Sequence, residues 1–159
     1  MNSVKNEDDG KVGRKYKTTA IVVLSQIFFS LVLTVVAVFM VRGRNGTETD
    51  DSNLMALWVL IIFIAVGALV IRRLFNSWER LKNTKLLKGA DGLLQTLQTN
   101  AILLGAISEF IAILGFIITI MSGSVSDMIR AEVVALITFL INFPRRSVWN
   151  RIVESLGSV

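Results

Sequence analysis

The chain contains no cysteine and no histidine. The first absence removes disulfides and thiolate metal sites, and the second removes imidazole ligation of zinc or haem. Together they also remove Ser-His and Cys-His nucleophile systems. An ordinary redox or hydrolytic enzyme is therefore not expected, and neither is a cofactor or a bound metal. Charge is scarce too, at 18% of residues, whereas 53% are hydrophobic and the mean hydropathy is +0.63. A soluble domain of 159 residues needs more polar surface than that.

The apolar residues come in long blocks, a pattern that suits bilayer spans better than one large core. The stretch "TAIVVLSQIFFSLVLTVVAVFMV" predicts a first transmembrane helix over Thr19–Val41. It is too long for the apolar core of a signal peptide, and no small-residue cleavage site precedes the next polar segment. "LMALWVLIIFIAVGALVI" predicts a second span over Leu54–Ile71, closed by Arg72 and Arg73. A third is expected over Thr99–Met121 and a fourth over residues 125–143. Ser124 and Asp127 open the fourth at capping-box spacing, and the single proline, Pro144, stops it with Arg145 and Arg146. Asp127, Arg130 and Glu132, near its start, read as capping and ion-pairing residues.

Residues 1–18 are polar with mixed charge and read as a loosely ordered tail, and residues 144–159 as a C-terminal segment. Leu74, Trp78 and Leu81, at i, i+4 and i+7, carry the second helix onward along an interface until Gly89 and Gly92 break it. Asp91 is placed to cap the next helix. Trp58, Trp78 and Trp149 sit near or beyond span ends, as interfacial anchors do. The expected fold is all-α and polytopic, a four-helix transmembrane domain over residues 19–143 with an extended connection between helices 2 and 3.

Of the seventeen Lys and Arg residues, fourteen fall before the first span, between the second and third, or after the fourth. Only Arg42, Arg44 and Arg130 lie on the opposite side. The positive-inside rule then places both termini in the cytoplasm of a bacterial inner membrane. The net charge of +5 is thus a topology and anionic-lipid signal, and no nucleic-acid partner is expected. Asn45-Gly46-Thr47 matches a glycosylation acceptor, a short pattern that arises by chance.

The third span holds the strongest pattern. Ala101, Gly105, Ser108, Ala112, Gly115, Thr119 and Ser122 recur at alternating spacings of 4 and 3, an unbroken heptad of small residues. Helices in lipid associate where small residues let backbones approach, so this seam is expected to pack either against the other helices of the chain or against another subunit. Glu109 lies on its flank, about 15 Å into the span at 1.5 Å per residue. An ionised carboxylate at that depth costs at least ~2.5 kcal/mol, so it must be neutral, paired or wetted. No basic residue lies in any apolar core. Gln26, Thr138 and Asn142 are the candidate hydrogen-bond partners, and Gln26 belongs to a stripe with Ser30, Thr34 and Ala37 on the first span.

"GAISEFIAILGFIITIM" resembles the carboxylate-bearing helix of rotary ATPase proteolipid (c) subunits, with Glu109 at the ion-carrying position. The resemblance implies a cytoplasmic loop joining spans two and three, and a role for Glu109 in proton or cation handling. The chain as a whole is more similar to uncharacterised bacterial four-span membrane proteins, which implies fold rather than activity. The expected function is a small integral subunit or scaffold, not an enzyme, surrounded by membrane lipids. It would pack into a homo-oligomer or larger membrane complex through the third-helix seam. Proton or cation handling by Glu109 is the alternative.

Overall fold

The computed structural model describes residues 2–42 and 51–157, and among these it contains five helices and no strand. They are α1 (Asn2–Val41), α2 (Asp51–Phe75), α3 (Trp78–Ser122), α4 (Val125–Asn142) and α5 (Arg146–Gly157). Arg44 and the Asn45-Gly46-Thr47 motif lie outside the described residues. Three helical stretches are long and apolar enough to cross a membrane: Val12–Val41, Ser52–Phe75 and Trp78–Ser122. The fourth expected span, α4, is 18 residues long, with Asp127, Arg130 and Glu132 in its first half.

Several boundaries differ from the sequence reading, each for a local reason. The expected loose tail is helical from Asn2, continuous with the first apolar run. Val12, Tyr16, Thr19 and Val23 extend the inward stripe of α1 by further turns. Val12 is buried with Leu81, Leu93, Leu94, Leu97 and Trp149, and the Tyr16 ring meets Trp149 edge-on at 6.0 Å and 81°. Trp149 is only 4% exposed, so it is a core residue of this end and not an interfacial anchor. Its helix, α5, buries Trp149 and packs Ile152 and Val153 against the same cluster.

The second helix does not continue through Trp78. It stops at Phe75, and Ser77 turns extended (φ −63°, ψ 134°) before α3 begins. Arg80 then folds back over the Phe75 ring at 4.8 Å. The stripe Leu74–Trp78–Leu81 is thus split between two helices, with Leu74 exposed and Leu81 buried. The break expected at Gly89 is present as a kink, because its φ of 69° with ψ of −171° is open only to glycine. Gly92 stays helical.

The α3–α4 corner is tight. Gly123 takes a left-handed φ of 67°, and its N–H closes α3 on the Thr119 carbonyl at 2.9 Å. Ser124 is the N-cap of α4 but makes no side-chain cap bond; Ser122 hydrogen-bonds Asp127 instead, at 2.8 Å. Asp127 also pairs with Arg130 at 3.8 Å, with Arg130 facing outward.

Helix α3 is the centre of the packing: it touches α1, α2 and α4, whereas α1 and α2 do not meet among the described residues. Ile61 of α2 packs with Ile111, Leu114 and Ile118 of α3 and with Ala131 and Ala135 of α4. The remaining side of α3, which carries Leu103, Ala106, Phe110 and Ile117, is left exposed.

Candidate functional site

The polar groups inside this bundle are organised by one face of α1. Thr19, Val23, Gln26, Ser30, Thr34, Ala37 and Val41 follow helical spacing, and five of the seven are buried. Hydroxyls on such a face can satisfy themselves by donating to the preceding turn. Thr19 does so to the Lys15 carbonyl at 2.8 Å, and Thr34 to the Ser30 carbonyl at 3.3 Å. These hydroxyls therefore add little polar demand of their own, and the face can lie against lipid-depth helices.

All seven residues of the small-residue seam lie along α3. Ala101, Gly105, Ser108, Ala112, Gly115 and Thr119 are buried within the chain, and Ser122 is partly so. The Gln26 carboxamide fills the space beside Gly105, and the Ala131 methyl, with Met128 behind it, fills the space beside Gly115. The seam thus faces α1 and α4 of the same molecule. Helix α4 answers with a matching row, Met128, Ala131, Ala135, Thr138 and Asn142, all buried at spacings of 3 and 4.

Glu109 lies half-buried on the flank of that seam, next to the exposed side of α3. Of its three candidate partners, only the Gln26 amide approaches it. Thr138 donates to the Val134 carbonyl at 2.8 Å, and Asn142 sits at the far end of α4. The Gln26 Oε1 is buried without a partner.

Glu132 is the residue that the sequence reading misplaced. It is 5% exposed, with Oε1 2.9 Å from the Ser30 hydroxyl oxygen. The same hydroxyl lies 2.9 Å from the Ile27 carbonyl. One hydroxyl proton shared between two acceptors gives two weakened bonds, so both contacts are best satisfied when the carboxyl carries its own proton and donates to Ser30. Thr34 stands nearby, but its bond goes to the Ser30 carbonyl, and Glu132 Oε2 is left without a partner. The signal was present: Glu132 is about 200° around the helix from Arg130 and shares a face with Met128 and Ala135. Reading Asp127, Arg130 and Glu132 as one charged group hid it.

Gln26 and Ser30 are one turn apart, about 6 Å along the axis of α1, and they stand beside Glu109 of α3 and Glu132 of α4 respectively. Such a row of carboxyl, amide and hydroxyl groups can lock helices together. It can equally hold or pass a proton or a small cation. Among the described residues no three His, Cys, Asp or Glu gather as a metal site. No protein-family model matches the chain, and no curated protein or solved structure matches it either.

Proposed function

We propose that this chain is a small integral subunit of a bacterial inner membrane that crosses it four times, with both termini in the cytoplasm, and assembles with a second copy of itself. At 18 residues α4 reaches about 27 Å, close to the hydrocarbon thickness, and its charged first turns fit the outer interface. The observation that carries the assembly is Glu109: a half-buried carboxyl deep in a span, at the edge of the only side of α3 that no described helix covers. A neutral carboxyl is both donor and acceptor, so two copies related by a twofold satisfy each other without a foreign group. The small-residue seam builds the subunit, and the joining surface lies one face over, along Ile102, Glu109 and Ile113.

Because the chain lacks cysteine, single introduced cysteines test both parts cleanly. Ile102→Cys and Ile113→Cys should give disulfide-linked dimers in native membranes, and Ala112→Cys, which faces α4, should not. Cysteines placed at residues 45–50 should label from outside, and those at residues 82–88 only after the membrane is opened. Dimers at Ala112→Cys alone would move the interface, and reversed labelling would invert the topology.

A second reading, proton or cation handling, gains support from Glu132, which supplies a second carboxyl one turn of α1 away from Glu109. Carbodiimide should then modify Glu109, and sodium should protect it if a cation binds there. Modification indifferent to sodium would leave only a proton for this site to handle, and a Glu109→Gln subunit as active as the parent would remove the reading altogether.

A further inference from the structure

At the end of the bundle that carries α5, a partly open cavity of about 60 Å³ lies between the last turns of α2 and α4, the middle of α3 and the start of α5. Its polar lining is Arg72, Asn76, Asn100, Asn142 and Arg145, with no carboxylate. Asn142 is 8% exposed, and neither its Nδ2 nor its Oδ1 has a partner. A buried amide with every bond unmade marks a place where something else binds. The cavity has room for a group the size of a phosphate rather than a single water.

The charge on offer is positive. Two helix C-termini end here, and one terminal carbonyl of each is met by this lining: Arg72 donates to the Ile141 carbonyl and Asn100 donates to that of Phe75 at 3.4 Å. A guanidinium has five N–H donors, so Arg72 keeps others free. The N-terminus of α5 opens at the same spot and adds the partial positive charge of its first N–H groups.

A separate apolar groove of about 510 Å³ lies between α2 and α3, walled by Phe63, Gly67, Ile71, Leu103 and Phe110, and shares no residue with the polar cavity. Two arginines at the end of apolar helices, around a buried unpartnered amide and a helix N-terminus, suit the phosphate of an anionic lipid headgroup. We propose that this cavity binds the phosphodiester headgroup of an anionic phospholipid of the leaflet on the α5 side. The site requires only that the chain is embedded in a bilayer. On α3 the cavity is lined by Leu97, Asn100, Ala101 and Leu104, on the face opposite Ile102 and Ile113, so it does not depend on the proposed dimer.

Thermal unfolding of the full chain in detergent, titrated with dioleoyl phosphatidylglycerol, dioleoyl phosphatidylcholine or sodium phosphate, tests the assignment. Phosphatidylglycerol should raise the melting temperature, and the other two should not at equal concentration. Arg145→Gln changes an exposed side chain, and Asn142→Leu removes a buried amide with no bonds to lose, so both variants should fold. Each should weaken the phosphatidylglycerol response about ten-fold, the loss of one good polar contact. An equal response to phosphatidylcholine, or an undiminished response in both variants, would overturn the site. A shift reproduced by sodium phosphate alone would overturn the lipid.

Discussion

Gly115→Ala is expected to lower the melting temperature of the purified protein by several degrees, while Gly105→Ala leaves it nearly unchanged. The two glycines are equivalent in the seam and differ only in what fills the space beside them. At Gly115 an added methyl would overlap the Ala131 methyl, which is fixed to the α4 backbone and cannot rotate away. The helices must then separate, and overpacking of this kind costs about 1–3 kcal/mol. At Gly105 the overlap is with the carboxamide end of Gln26, a flexible side chain that can turn aside. Its Oε1 makes no bond there, so a turn that leaves the amide beside Glu109 loses none. Gly115→Leu should go further and leave no folded protein to purify, since Ala131 and Met128 leave no room for a branched side chain between α3 and α4. Thermal melting of the two alanine variants, side by side in one detergent, decides the matter. Equal losses at both sites would mean that α1 is held as rigidly against α3 as α4 is.

That contrast also marks how much the sequence discloses. Small residues at heptad spacing identify α3 as the helix others pack on, because only such a row lets backbones approach in lipid. What the row packs against was not legible, since a seam facing α1 and α4 has the same spacing as one facing another subunit. The apolar runs of α1, α2 and α3 were legible for a similar reason: long stretches without charge need no tertiary context. Their ends were not. Val12 and Tyr16 lie in a polar stretch that reads as a loose tail, yet they sit in helix and pack against Trp149, more than 130 residues away, a contact no local pattern discloses. Leu74 and Leu81 show the reverse error, a helical spacing that spans a break between helices at Ser77. Glu109 stands out in sequence because it is the one charged residue in a long apolar run. Glu132 sits beside Asp127 and Arg130, and only the angle around α4 separates the buried carboxyl from the exposed pair.

The last expected result concerns that carboxyl. Glu132→Leu should fold and melt at or above the temperature of the parent chain, whereas Glu132→Asp should melt lower. Ser30 keeps the Ile27 carbonyl at 2.9 Å when the carboxyl is gone, so an apolar side chain at residue 132 leaves no hydroxyl unsatisfied. It also removes the unpartnered Oε2. Replacing a buried polar group and its demands by a hydrophobe of similar size is commonly neutral or stabilising. Aspartate keeps the carboxyl but shortens the arm, so it no longer reaches the Ser30 hydroxyl across the α1–α4 contact. A buried polar group without its partner costs about 1–3 kcal/mol. Glu132→Gln should fall between the two, because its amide can donate to Ser30 as the protonated carboxyl does. Melting curves for the three variants in one detergent give the order directly. A leucine variant that fails to fold would make Glu132 a structural clasp between α1 and α4. The expected order removes that explanation, and it favours the proton- or cation-handling reading proposed above, since it leaves a buried carboxyl that the fold does not need one turn of α1 from a second.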